Sequence, residues 1–233
     1  MMEIQVIAYA RNGYSSKFGI PRQSGCAKSV LTRIVFTPEY RVAEALRGIE
    51  AWSHLWLIWG FSANHNSSLT PSSSWSPTVR PPRLGGNKRV GVFATRSPFR
   101  PNELGLSSVR LERVEQTQNE GLVLWVSGAD LMDGTPIYDI KPYLPYTDIH
   151  TDATGGFTVE HSEYRLEVFV PEDIAETLDS DTLQAIKEIL AEDPRPQYHN
   201  DSERIYRFEY AGYGIAFSVD GNTAFVRSIS LSC

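Results

Sequence analysis

Cysteine is almost missing from this chain. Its 233 residues hold only Cys26 and Cys233, with no CxxC spacing, which excludes a disulfide framework and a zinc knuckle and fits a reducing compartment. No stretch approaches the roughly 20 apolar residues of a membrane span. The opening Met1-Met2-Glu3-Ile4-Gln5-Val6 lacks the basic region and apolar run of a signal peptide, so a cytoplasmic protein is expected. Neither GxGxxG, nor the Gly-Lys-Ser/Thr of a P-loop, nor a GxSxG elbow occurs, which leaves the commonest nucleotide-binding and serine-hydrolase readings without a motif. His54, His65, His150, His161 and His199 make no HxxxH or HExxH pattern, and neither a metal nor a membrane partner is expected. His54, set in an apolar run, reads as a core histidine.

Acidic residues are missing from one long stretch. The net charge is −6, yet residues 51–102 contain no Asp or Glu while holding Arg80, Arg83, Lys88, Arg89, Arg96 and Arg100. All 28 acids and the other 16 of the 22 cations lie outside it, so this window carries +6 and the remainder −12. Such segregation concentrates positive potential where a phosphate-bearing ligand can be steered. Pairing of these cations with the acidic flanks is the competing reading.

What the chain does have is a series of short apolar runs separated by Gly and Pro turns. Strands are expected at residues 4–10, 29–36, 52–61, 90–94, 106–114, 121–128 and 137–140. The run 52–61 is apolar enough to be a strand buried on both sides, with a core helix as the alternative that pattern alone allows. A short helix after Pro38 would bury Val42, Ala45 and Leu46 before Gly48 ends it. The Ser/Asn/Pro-rich stretch 64–77 reads as a long functional loop. One early helix among many strands predicts a mainly β fold, an antiparallel barrel or sandwich rather than a βαβ array. After a polar linker at 147–156, a strand at 164–170, a helix at 181–191 with Leu183, Ile186 and Leu190 on one face, and strands at 205–210, 215–219 and 224–229 predict a small α+β unit. The expected division is therefore residues 1–150 and residues 151–233.

Three constellations could carry chemistry. In Arg80-Pro81-Pro82-Arg83-Leu84-Gly85-Gly86-Asn87-Lys88-Arg89, prolines fix φ and paired glycines let backbone amides approach a ligand between cations; an ordinary hairpin turn would use the same residues. In Thr95-Arg96-Ser97-Pro98-Phe99-Arg100-Pro101-Asn102, two guanidinium forks could meet a carboxylate or phosphate, or lie in a solvated loop. Asp130-Leu131-Met132-Asp133-Gly134-Thr135-Pro136 places two carboxylates three apart, able to accept a proton or simply to build an Asp-Gly turn.

Taken with residues 18–23, Gly48-Ile49-Glu50-Ala51-Trp52-Ser53-His54-Leu55-Trp56, residues 77–97, residues 133–146 and Asp193-Pro194-Arg195-Pro196 with Tyr198, these motifs resemble the TsaA-like family. The resemblance is closest to its bacterial tRNA N6-threonylcarbamoyladenosine methyltransferases and spans nearly the whole chain. It implies a single small antiparallel β-barrel that binds S-adenosylmethionine without a Rossmann fold, dimerises, and N-methylates the modified adenosine just 3′ of the tRNA anticodon. By position, the implied cofactor contacts fall on Pro21, Arg22, Gln23, Arg96, Leu106, Leu131, Met132, Asp133 and Gly134. Relatives resemble Phe-His-Gln where this chain has Phe61-Ser62-Ala63, followed by Asn64 and His65, so Ser62 and Ala63 occupy cofactor positions with altered side chains. Glu103-Leu104 stands where Pro-Ile is usual.

For the transfer itself, Asp133 or Asp130 is the candidate proton acceptor. Arg100 or Arg83 is the candidate partner of the substrate carboxylate, with Lys88 also on the tRNA side. A non-catalytic RNA-binding barrel using the same window is the alternative, as is a hydrolase or phosphate-ester binder that needs no S-adenosylmethionine.

Overall fold

The computed structural model describes residues 3–62, 75–81, 84, 88–161, 164–195 and 201–232. Ala63, His65, Arg83, His199, Cys233, the paired glycines 85 and 86 and nearly all of the Ser/Asn/Pro-rich loop lie outside the described residues.

The chain is mainly β. Its first part supplies β1 (Ala8–Arg11), β2 (Leu31–Phe36), β3 (His54–Gly60), the two-residue β4 (Thr78–Val79) and β5 (Val90–Gly91), β6 (Leu104–Thr117), β7 (Gly121–Ser127) and β8 (Pro136–Pro142). Six of these pair antiparallel in the order β1-β2-β7-β6-β3-β8, and β8 returns to β1 through Ala8↔Ile137, so the sheet closes into a ring. A closed ring has no unpaired edge. Inward positions alternate along each strand: Leu55, Leu57 and Trp59 of β3 meet Ile34 and Phe36 of β2, Val109 of β6, Leu124 and Val126 of β7 and Ile137 of β8 in one core.

That alternation corrects two expectations. Residues 52–61 are not buried on both sides, because β3 turns His54, Trp56 and Ile58 to the outer face, where they are half-buried. His54 is therefore no core histidine; its Nδ1 lies 3.0 Å from Ser53 Oγ and its ring stands against Tyr143. Two local elements also differ. The segment after Pro38 forms three single 3-10 turns, Pro38–Tyr40, Ala43–Leu46 and Ile49–Ala51, too short to nucleate an α-helix. Leu46 is buried there while Val42 is 48% exposed. Residues 90–94 give only the two-residue β5 and then a 3-10 turn, Val92–Ala94, that buries Val92.

Beyond the ring, α1 (Pro145–Asp148), β9 (Glu167–Phe169), α2 (Glu172–Ala175), α3 (Ser180–Ala191), β10 (Tyr206–Tyr210), β11 (Tyr213–Asp220) and β12 (Thr223–Leu231) follow. Their sheet runs β10-β11-β12-β9, with β9 parallel to β12. Asp179 caps α3 by accepting the amide hydrogens of Asp181 and Thr182, and the helix buries Ala185, Ile186, Ile189 and Leu190 against the sheet. Leu183, expected on that face, is only half-buried. No described helix is long and apolar enough to cross a membrane.

The excursion between β1 and β2 begins in the polar stretch 11–23, which reads in sequence as a loop, but it serves a second core. Tyr14, Ala27 and Val30 are buried not in the ring but in the core of the C-terminal sheet, with Phe18 and Ile20 packed against it.

Candidate active site

At one rim of the ring, the β1–β2 excursion and the turn between β7 and β8 are stitched together. The Asn12 amide donates to Asp133 Oδ1 at 3.0 Å and its side-chain nitrogen to the Leu131 carbonyl at 2.9 Å. The Asp133 amide donates to the Tyr14 carbonyl and the Gly134 amide to the Ala10 carbonyl, each at 2.9 Å. The Gly25 amide donates to the Gly128 carbonyl at 2.8 Å. Gly128 has φ +74°, and a Cβ there would sit 3.1 Å from the Gly25 Cα, so both conformation and clearance require glycine.

Asp130 is the node of this rim. Trp59 Nε1 of β3 donates to Ser107 Oγ of β6 at 2.9 Å, and Ser107 Oγ donates to Asp130 Oδ1 at 2.5 Å. Burial pushes the Asp130 carboxyl above its ordinary range, against the opposing pulls of the Ser107 hydroxyl, the Arg96 charge and the Ser24 amide. Arg96 in turn donates to Gln23 Oε1 at 2.5 Å. Residues 23, 24, 96, 107 and 130, drawn from four separate stretches of sequence, thus form one polar cluster. Beside Ser107, Leu106 points outward at 55% exposure, an apolar surface on the ring wall.

The acid-free window keeps its charge. Arg80, Lys88, Arg89, Arg96 and Arg100 form no ion pair with a described carboxylate. Arg89 reaches Thr78 Oγ1, and Arg100 Nη1 donates to the carbonyls of Thr95 at 3.0 Å and Ser97 at 3.3 Å. Among the described residues, then, these five cations are not neutralised by carboxylates of the acidic flanks, which favours positive potential there. Phe93 and Phe99 stand out of the same surface, 73% and 49% exposed.

The structure sorts the remaining sequence candidates. Gln23, Arg96, Asp130, Met132, Asp133 and Gly134 meet at the rim. Leu131 buries its side chain in the ring core and offers only its carbonyl, and Pro21 is buried. Asp133 is partly committed, with Asn12 on one oxygen and Arg11 at 3.4 Å from the other. Arg22 turns away from the rim toward the carbonyls of Asp193 and Arg195. Ser62 is exposed at the end of β3, and Lys88 is exposed on the cationic window. Sequence reasoning missed Asn12, Trp59 and Ser107. Asn12 carried a usable signal, since an Asn beside a Gly in a polar loop is suited to bonding across a turn; Trp59 and Ser107 are joined only by strand pairing.

Among the described residues the chain is mainly β, and the polar cluster of residues 23, 24, 96, 107 and 130 stands at one rim of its closed sheet. The profile of the tRNA-methyltransferase O N-terminal domain matches residues 9–149 and that of the TrmO C-terminal domain residues 163–232. The tRNA (adenine(37)-N6)-methyltransferase of Escherichia coli K12 is 40% identical over 207 residues, covering 86% of this chain and 85% of that protein. The human protein of the same name is 33% identical over 85% of this chain and 42% of its own length. A crystal structure of TrmO from Pseudomonas aeruginosa superposes with a TM-score of 0.75 at 31% identity, covering 99% of both chains. The chain belongs to the TrmO family of tRNA methyltransferases.

Proposed function

We propose that this protein transfers a methyl group from S-adenosylmethionine to N6 of the threonylcarbamoylated adenosine 3′ of the tRNA anticodon. The observation that carries the reading is the rim cluster of Gln23, Arg96 and Asp130, with described cations of the acid-free window that form no ion pair with a described carboxylate, in a chain of this family. The rim suits the methyl donor chemically. Arg96 supplies a fork for its carboxylate, the Gln23 amide and the backbone at 131–134 supply polar contacts, and exposed Leu106 supplies an apolar face. When bound, the donor contributes an electrophilic sulfonium methyl.

The residues of this chain then have two tasks. The first is alignment, since an in-line displacement is accelerated mainly by holding nucleophile and methyl in register. The second concerns the proton of N6, a nitrogen whose lone pair is delocalised into the ureido group. As the methyl–sulfur bond breaks and the methyl–nitrogen bond forms, the N6 proton passes to a carboxylate and on to solvent. Asp130 fits this better than Asp133. Burial raises the proton affinity of the Asp130 carboxyl above its ordinary value, whereas the Asp133 side chain already faces Arg11 at 3.4 Å.

On the tRNA side, Lys88, Arg83 and Arg100 are assigned to phosphates and the threonyl carboxylate, with Phe93 and Phe99 offered for base stacking. The reading includes a six-stranded antiparallel barrel as the catalytic unit over residues 1–150, a small α+β unit over 151–233, and a cytoplasmic homodimer, visible in solution at twice the 26.1 kDa chain mass. Calorimetric titration with S-adenosylmethionine tests the site. Saturable binding lost in Arg96→Ala is expected, and no binding by the wild-type protein would reject the reading in favour of a plain RNA-binding module.

A further inference from the structure

The excursion that carries Pro21-Arg22-Gln23 is held from outside the ring. Arg22 Nη2 donates to the carbonyl of Arg195 at 3.2 Å and to that of Asp193 at 3.4 Å. Both carbonyls belong to a turn that is itself rigidly made. Asp193 follows the C-terminus of α3 with φ +48°, a left-handed position where glycine is the usual residue. An aspartate tolerates that backbone better than most residues, and here its side chain is needed. Arg195 Nε donates to Asp193 Oδ1 at 2.9 Å and to Oδ2 at 3.1 Å, and the Tyr164 hydroxyl lies 3.2 Å from Oδ2. Asp193 and Arg195 are 6% and 9% exposed, so this ion pair is shielded and its geometry is fixed by three bonds. A cleft lined by Phe18, Arg22, Ile189 and Pro194 marks the seam.

We propose that the Asp193-Pro194-Arg195 turn is a latch that positions the cofactor segment through Arg22, making Arg22, Tyr164, Asp193 and Arg195 positioning residues for a site that none of them touches. This rests on the reading that Pro21, Gln23 and Arg96, and not Arg22, border the methyl donor. The physical chain is short. Tyr164 and Arg195 fix the Asp193 side chain, the turn presents two carbonyls, Arg22 is pinned between them, and the neighbouring Gln23 side chain is thereby held against Arg96. A C-terminal unit that merely gripped tRNA would change tRNA affinity when weakened. A latch changes the methyl donor's affinity instead.

Two variants separate these outcomes. Arg195→Lys keeps the charge but removes the Nε–H that both Asp193 oxygens share. Glu188→Ala breaks a different contact of the same seam, the 2.8 Å bond from the Ser29 amide and the 2.7 Å bond from the Ser29 hydroxyl. Two readouts are taken on the full chain, hydrogen exchange of the amides at 22–24 and calorimetric affinity for S-adenosylmethionine, with KM for tRNA measured alongside. Arg195→Lys is expected to accelerate exchange at 22–24 and to weaken donor affinity about tenfold, the effect of losing one charge-assisted bond, with KM for tRNA unchanged; Glu188→Ala is expected to lower Tm without either change. Unaltered exchange at 22–24 in Arg195→Lys overturns the latch, as does equal loss of donor affinity in both variants. Faster exchange with unaltered donor affinity overturns its link to the cofactor. Wild-type protein that binds no donor at all rejects the site reading, and exchange at 22–24 still judges the latch.

Discussion

Gly105→Ala is the sharpest test of the rim's foundation. Gly105 of β6 pairs with Trp59 of β3, whose indole atoms occupy the space where a side chain at 105 would go. A Cβ at 105 would stand 2.2 Å from Trp59 Cε2 and 2.4 Å from Cζ2, while carbon atoms in contact prefer about 3.5–4.0 Å. The indole must therefore move by more than an ångström. It is 7% exposed and its N–H carries the bond to Ser107 that orders the hydroxyl on Asp130. Overpacking costs about 1–3 kcal/mol, and an indole N–H stranded without its partner costs about 1–3 kcal/mol more. The central expectation, about 4 kcal/mol, lowers Tm by roughly 8–16 °C for a chain of this size. On an unobstructed strand the same substitution would stabilise by about 0.5–1 kcal/mol, so even the sign is diagnostic. Thermal unfolding followed by circular dichroism gives the number, and tryptophan fluorescence reports the displaced ring. In the double variant Trp59→Leu/Gly105→Ala the clash is gone, so its destabilisation should be less than the two single effects together. An unchanged or raised Tm in Gly105→Ala would refute the packing argument, and with it the relay that orients Asp130.

Three further outcomes are expected. The Asp130 carboxyl holds its proton more tightly folded than unfolded, so wild-type stability falls as pH rises from the ordinary value of 3.8 through the raised one; Asp130→Asn should gain on the wild type across that window in urea titrations and run parallel outside it, and an opposite slope would remove the burial argument. Bonds from the Thr182 and Asp181 amides hold the Asp179 carboxyl below its ordinary value, so its capping contribution is present above the unfolded pKa and lost as pH falls through the lowered one; Asp179→Ala should melt earlier than wild type at neutral pH and together with it in acid. Arg100→Ala should reduce the preference for threonylcarbamoylated over unmodified tRNA by about tenfold or more if its fork meets the threonyl carboxylate, and equal discrimination by variant and wild type in methylation assays would confine Arg100 to tying the Thr95 and Ser97 carbonyls.

The parts of the fold legible in the sequence are those set by local periodicity. β2, β6 and β7 show in their apolar runs, and α3 shows in its cap and 3.6-residue spacing. The cationic window was legible because charge is counted without a fold. What stayed hidden depends on partners distant in the chain. His54 looked interior until the pairing of β3 with β6 and β8 decided which face was inward. Trp59, Ser107 and Asp130 become neighbours only through strand register, and no spacing rule joins them. The polar excursion between β1 and β2 gave no sign that Tyr14, Ala27 and Val30 serve another core, because burial of a loop is decided by what it lands on.

The central claim is methyl transfer to one base. Mass spectrometry of nucleosides from threonylcarbamoylated tRNA, incubated with the pure protein and S-adenosylmethionine, should show one added methyl on the modified adenosine 3′ of the anticodon, and none when Arg96 is replaced by Ala. Unchanged tRNA in the wild-type reaction, or a methyl on any other nucleoside, would contradict the account.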